Sequence, residues 1–306
     1  MQLNNTVSLI ISLFLIMIVG YIMAKREVID KEAKTRLTRL LLNVTLPAQI
    51  IKAFVSNQGI VSNIEVLQVF GMSLILYLIY AIIGVIFVFV IRPKKGQRGA
   101  YLFMMMFGNV GFMGFPLIEA IYGEGALIYG VIFNVIFCLL VYSIGIFMIG
   151  KNHDGAKFDW AKLLNMPFIA SVCSLVLYFA KMEFPDVVLT SLDFMGNVTT
   201  PVAMLILGAT IAGMPLAKLF NEWRIYIFTA VKLLVLPMGA ILLFRYLPIS
   251  SDIIKESLIV LSATPVATNA TMLAIEYDGD MDLISKGIFF TTLLCMVTIP
   301  LIQTMF

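Results

Sequence analysis

The sequence predicts an all-α integral membrane protein whose ten transmembrane helices form a 5+5 inverted repeat. Three observations carry that prediction. The 306-residue chain is 61% hydrophobic and only 13% charged, with a mean hydropathy of +1.01. That is more apolar surface than a water-soluble domain of this size can bury. The apolar residues divide into ten runs, each near the ~20 helical residues that cross a hydrocarbon core of about 30 Å. Short polar motifs recur at a constant offset between the two halves.

The runs cover 6–24, 33–55, 65–91, 98–121, 127–150, 164–181, 192–213, 223–246, 253–275 and 283–304. The first contains no basic residue before Lys25, so it reads as an inserted helix with its N-terminus outside, not as a cleavable leader. The second opens with an amphipathic basic segment, KEAKTRLTRLLLNVTLP. On this orientation the inner loops hold Lys25, Arg26, Lys31, Lys34, Arg36 and Arg39, then Arg92, Lys94, Lys95 and Arg98. Further on they hold Lys151, Lys157, Lys162, Lys218, Arg224 and Lys286, while the outer side has only Lys52, Lys181, Arg245 and Lys255. This bias puts both termini on the extracytoplasmic side of a plasma or inner cell membrane.

The longest polar linker, 150–165, contains the single histidine, His153, which argues against His-based catalysis or proton relay. Cys138, Cys173 and Cys295 fall inside apolar runs and read as packing residues, with neither a disulfide framework nor metal-ligand spacing. Trp160 and Trp223 fall at expected interfaces. No basic stripe interleaved with aromatics marks a nucleic-acid partner.

The repeat rests on particular residues. NVTLP at Asn43–Pro47 returns as NVTTP at Asn197–Pro201, and AIYGEG at Ala120–Gly125 returns as AIEYDG at Ala274–Gly279, both 154 residues on. GVIFNVIFC, ending at Cys138, resembles GIFFTTLLC, ending at Cys295. The halves are therefore 1–154 and 155–306. Each holds five spans, an odd number, so the second enters the membrane from the opposite side. Many secondary transporters have this architecture.

Within the fourth run lies GNVGFMGFP, Gly108–Pro116. Glycine and proline weaken or break helices, and asparagine is costly in hydrocarbon. Asn109 is the eleventh residue of a charge-free window, 99–118, which puts it near the bilayer midplane at ~1.5 Å per residue. The offset of 154 leads to SATPVATNA, residues 262–270, in the ninth run. Both halves thus break their fourth helix at mid-membrane. Non-helical backbone at that depth must be buried in protein or line a cavity. Its freed N–H groups, helped by half-helix N-termini, can hold a carboxylate. Asn109, Gly111, Pro116, Pro265, Thr268 and Asn269 are accordingly the leading substrate-site candidates, with Thr264 as a further polar neighbour.

Lys232 is an ionisable residue deep in the eighth run, and contact with an anion, gating and a structural bond to a carbonyl or carboxylate all remain open for it. Asn43, Thr45, Asn197, Thr199 and Glu119 are secondary candidates. The first four read equally as interhelical hydrogen-bonding groups beside Pro47 and Pro201. Asp193, Glu276 and Lys286 lie near span ends and read as solvated or structural. YLFMMMF, 101–107, reads as core packing or lipid-facing surface.

LPAQII, GNVGFMGFPLIEAIYG and ATPVATNATMLAIEYDGDMDLIS…TIPLI resemble the auxin efflux carrier family, which includes plant PIN carriers and bacterial malate or malonate permeases. The resemblance spans nearly the whole chain. It implies a fold like that of bile-acid transporters and sodium/proton antiporters, with crossed, broken helices 4 and 9. It also implies a scaffold of helices 1, 2, 6 and 7, a moving core of helices 3–5 and 8–10, a homodimer, and elevator-type motion. Asn109 and Pro116 match the family's first crossover and Pro265 its second. The plant carriers have a proline where this chain has Ala270, and many have a long cytosolic loop where this chain has a short linker.

The sequence thus favours a secondary active or facilitated carrier of small organic anions, such as malate, malonate or auxin-like acids. No cofactor or metal is implied, and coupling to H+ or Na+ is left open. Two other classes stand beside it. One is a ligand sensor that keeps the carrier fold without flux. The other is a membrane enzyme using Asp278, Asp280 and Asp282 to hold a divalent metal. A channel is disfavoured because no ring of like charges lines a pore.

Overall fold

The computed structural model describes residues 2–56, 61–150, 164–182, 184–214 and 219–305, and the side chains among these except those of residues 2–7 and Lys95. The linker with His153 and Trp160, the basic residues Lys151, Lys157 and Lys162, and Lys218 lie outside the described residues. Every regular element described is helical, and one antiparallel bridge joins Gly108 to Val266.

In chain order the helices are α1 (Gln2–Lys25), α2 (31–55), α3 (Asn63–Ile91), α4 (Arg98–Met106), α5 (Val110–Tyr122) and α6 (Glu124–Ile149). They continue as α7 (Met166–Phe179), α8 (Asp186–Ala212), α9 (Trp223–Tyr246), α10 (Asp252–Ser262), α11 (Ala270–Glu276) and α12 (Met281–Gln303). Six of them, α1, α3, α6, α8, α9 and α12, are long and apolar enough to cross a membrane. The second and sixth runs appear as α2 and α7. The fourth and ninth each appear as two short helices, α4 with α5 and α10 with α11, as their central glycines and prolines require. The seventh begins at Asp186 instead of near 192, because Pro185 ends the preceding loop and Asp186 supplies negative charge to the first turn.

Local chemistry fixes several ends. Ser62 and Glu65 form a reciprocal capping box at the start of α3, with bonds of 3.2 and 2.7 Å. Wide π-type turns occur at Leu41–Thr45, Val110–Gly114 and Val231–Val235. A proline follows two residues after each of these three, Pro47, Pro116 and Pro237, whereas none follows a fourth such turn, Val141–Gly145. The pyrrolidine ring lacks an N–H and crowds the carbonyl four residues back, and a widened turn relieves that conflict.

Packing is densest within two groups of helices, which also touch each other where α1 meets α5 and α12 and where α2 and α7 meet α6. In one, α1 runs along the second half of α8, while the second half of α2 packs on α7 and on the first half of α8. In the other, α3 packs on α4 and α6, and α9 packs on α10 and α12. Between helices already in lipid, close packing matters more than transfer from water. Gly20 and Gly208 show this: a Cβ on Gly20 would strike the Leu205 backbone, and one on Gly208 would strike the Met17 carbonyl. In the second set the YLFMMMF stretch is core: Tyr101, Phe103, Met104, Met105, Met106 and Phe107 are all buried. Along α3, by contrast, Leu67, Leu78, Ile82, Val85 and Phe89 are exposed apolar side chains, the surface a bilayer covers. Trp223 is half-exposed at the start of α9, with the Arg224 guanidinium 5.0 Å from its ring centre.

Replacing Gly208 by alanine is expected to separate α1 from α8 and lower stability by about 1–3 kcal/mol, the usual cost of overpacking. Gly239→Ala, at a position with open space around it, should leave the thermal midpoint in detergent near that of the unaltered chain.

Candidate functional site

The two chain breaks meet. α4 stops at Met106 and α5 starts at Val110, while α10 stops at Ser262 and α11 starts at Ala270. The intervening segments pass antiparallel. The Asn109 N–H donates to the Pro265 carbonyl at 2.7 Å, and the Ala267 N–H donates to the Phe107 carbonyl at 3.1 Å. Gly108 lies at the crossing, where a Cβ would collide with the Thr264 hydroxyl, so any other residue requires that side chain to shift. The Val266 N–H donates to Thr291 Oγ1 of α12 at 3.0 Å, and the Thr264 hydroxyl donates to the Leu261 carbonyl at 2.6 Å. Thr264 and Thr291 are completely buried.

Much of the freed backbone is therefore satisfied across the crossing instead of waiting for a ligand. What remains is local. The Asn109 carbonyl accepts the N–H groups of Met113 and Gly114, at 3.2 and 2.9 Å. The N–H groups of Gly111 and Phe112 precede the first residue that can reach a carbonyl one turn back, and they find no acceptor among the described residues. The Asn109 side chain is buried, and its amide nitrogen has no partner among the described residues. The same is true of the Asn269 amide oxygen. Gly111, Phe112, Thr268 and Asn269 are half-buried. A Cβ on Gly111 would meet only Leu46 of α2, at 3.9 Å. Pro116 is buried in α5, and Ala270, its repeat partner, opens α11. The structure thus joins Asn109 to Pro265 at the crossing; Gly111 follows at the N-terminal end of α5, while the antiparallel pairing carries Thr268 and Asn269 the other way, toward the end of α4 and the start of α11.

Lys232 stands on the other side of the break. It is almost fully buried, donates from Nζ to the Met105 carbonyl at 2.9 Å, and lies 5.8 Å from the Tyr80 ring centre. Of the readings open for it, the carbonyl partnership is the one realised in this conformation. Its amine thus satisfies a carbonyl of the last turn of α4, one of the acceptors that a helix end leaves without an intrahelical donor.

The secondary candidates separate. Asn43 is exposed and returns its amide to the Arg39 carbonyl at 2.8 Å, and Asn197 is exposed too. Thr45 and Thr199 are buried, with hydroxyls that lack a partner among the described residues. Glu119, at the far end of α5, accepts from Gln49 Nε2 at 2.9 Å and from the Thr200 hydroxyl at 3.1 Å. One turn further along α2, Lys52 pairs with Glu124 at 2.5 Å and also with Asp193. Gln49 and Thr291 were not among the site candidates, although each is polar inside an apolar run and was legible on that ground. Asp278, Asp280 and Asp282 do not converge. Asp280 receives the Leu283 N–H and the Gln97 amide, Asp282 pairs with Lys286 at 2.7 Å, and no acidic metal cluster occurs among the described residues.

Comparison with known proteins gives consistent answers. The family model described as membrane transport protein matches residues 6–159 and 154–303. An uncharacterised transporter of Methanocaldococcus jannaschii is 26% identical over 309 residues, covering 95% of this chain and 96% of the relative. A second uncharacterised transporter, from Methanothermobacter thermautotrophicus, is 24% identical over 95% of both chains. A candidate malonate transporter of Rhizobium meliloti is 25% identical, covering 95% of this chain and 92% of the relative. The family and these relatives are named as transporters and not as enzymes.

Thr291→Val keeps the side-chain shape but leaves the Val266 N–H unpaired at the crossing. It is expected to cost about 1–3 kcal/mol, read as a lowered unfolding midpoint.

Proposed function

The chain belongs to the membrane transport protein family, the group of auxin efflux carriers that its sequence resembles, and from that premise we propose a carrier of small organic anions whose carboxylate binds at the crossing. The observation that carries this reading is the buried, unpartnered Asn109 amide beside the free N–H groups of the half-buried Gly111 and Phe112. These are hydrogen-bond donors at a helix N-terminus, the arrangement that receives carboxylates and phosphates. The named substrate of the Rhizobium relative, malonate, is a dicarboxylate of the kind such donors fit, and on that likeness malonate is the first substrate to test. Thr268 and Asn269 contribute from the second break, and Lys232 adds positive potential from behind the first. Coupling to H+, to Na+ or to neither is part of the same test.

The reading extends to architecture. The ten runs cross the membrane as two inverted halves, 1–154 and 155–306, with the basic loops cytoplasmic and both termini extracytoplasmic. The set built on α1, α2, α7 and α8 serves as the scaffold. The set built on α3–α6 and α9–α12 carries the crossing past it in an elevator motion. The working unit is a homodimer.

On this proposal the contacts of α5 and α6 with α2 and α8 form a latch. Glu119 and Glu124 belong to the moving set, while Gln49, Lys52 and Thr200 belong to the scaffold. Movement must break the Glu119 bonds and the Lys52–Glu124 pair. Lys52 keeps Asp193 on its own side, so its charge is not stranded during the stroke.

Two outcomes check the proposal. Reconstituted protein should accumulate radiolabelled malonate or a related carboxylate in proteoliposomes, with sodium and proton gradients varied separately. Asn109→Ala should reduce kcat/KM roughly 10- to 100-fold, the loss of one hydrogen bond to a charged group; uptake equal to the unaltered chain contradicts the site. A Gln49→Cys/Glu119→Cys pair, oxidised to a disulfide, should stop uptake, and reduction should restore it; uninterrupted uptake by the oxidised pair contradicts the relative motion.

A further inference from the structure

After α3 the chain turns back through residues 92–97 into α4. Beside this turn lies a hollow of about 480 Å³ lined by Val85, Val88, Phe89, Arg92 and Arg98. Its lining divides by chemistry. Val85 and Phe89 are 58% and 75% exposed on a helix apolar enough to cross a membrane, so this wall faces acyl chains. Two guanidinium groups stand at the end where the helix leaves the hydrocarbon.

Neither Arg92 nor Arg98 has an ion pair or a side-chain hydrogen bond among the described residues. The neighbouring acids are already engaged. Glu222 pairs with Arg224 at 3.0 Å, and Asp280 receives the Leu283 N–H and the Gln97 amide. Arg92 also ends α3 in the left-handed region, at φ 48°, with its N–H on the Val88 carbonyl. Glycine or asparagine is the usual occupant of such a cap, yet here an arginine is held at the rim of the hollow. Guanidinium forks suit phosphate geometry, and basic residues at a membrane surface attract acidic lipids.

We propose that this hollow binds one acidic glycerophospholipid, with its phosphate between Arg92 and Arg98 and an acyl chain along Val85, Val88 and Phe89. The site requires only that the chain be embedded in a bilayer, so it stands independently of the carrier reading.

The test uses the full chain in detergent, mixed with phosphatidylglycerol or phosphatidylcholine, with retained lipid counted by native mass spectrometry. One phosphatidylglycerol should be retained in preference to phosphatidylcholine. Arg92→Gln/Arg98→Gln should weaken that retention about 30-fold, roughly fivefold per arginine. Val85→Trp keeps both charges but fills the hollow, and it should also lose the lipid. Lys94→Gln, an exposed cation outside the lining, should not. These three basic positions are exposed, so the charge variants should stay monodisperse. Equal retention of the two lipids overturns the site. Loss from Lys94→Gln equal to that from the double variant would show diffuse surface charge and overturn it as well. Unchanged retention by Val85→Trp, or displacement of the lipid by inorganic phosphate at equal concentration, would also overturn it.

Discussion

Two backbone hydrogen bonds, Asn109 to Pro265 and Ala267 to Phe107, are the constraint on which the rest of the structure depends. A broken helix at membrane depth leaves donors and acceptors that lipid cannot satisfy. One break alone would need a partner for each of them. Two breaks laid antiparallel satisfy each other, and the bonds they make fix where four half-helices end. Gly108 leaves room for the Thr264 hydroxyl, and Thr291 and Lys232 tie the crossing to α12 and to the end of α4. Once these bonds are made, the groups left over among the described residues are few: the Asn109 amide and the first N–H groups of α5, and the Asn269 amide oxygen before α11. The chemistry of the site is what the crossing does not use.

The division of the helices into two sets follows from different forces. Within each set, helices approach through glycines and interdigitating aromatics, as at Gly20 and Gly208 or among Tyr77, Phe107 and Phe133. Between the sets, α1 meets α12 through apolar side chains such as Phe14 and Met296, while at the end of α5 the contacts are polar: Glu119 with Gln49 and Thr200, and Lys52 with Glu124. Close backbone packing resists sliding, because a shift of one residue brings side chains against backbone. A hydrogen bond or a partly exposed ion pair can be exchanged for another at modest cost.

The sequence made the positions of the breaks legible, because glycine, proline and asparagine at the centre of an apolar run have few other uses. It also made the membrane class and the family legible. The mutual hydrogen bonding of the breaks was not legible, since it joins residues more than 150 positions apart and leaves no local pattern. Likewise the depth of Lys232 could be read from its flanking residues, but its carbonyl partner could not. The partner of Asn43 was equally hidden: beside a proline kink an asparagine can bond its own preceding turn, as it does here with Arg39. Lys52 looked like an ordinary outer basic residue, because its two carboxylates arrive from distant helices.

The most direct measurement is hydrogen–deuterium exchange at residue resolution over 107–114 and 264–272, with and without malonate. The account predicts that the Asn109 and Ala267 amides are protected in both conditions, because their bonds belong to the crossing. The Gly111 and Phe112 amides should exchange freely without ligand and become protected when it is present. Rapid exchange at Asn109 and Ala267, or ligand protection that appears elsewhere and leaves Gly111 and Phe112 unchanged, would contradict it.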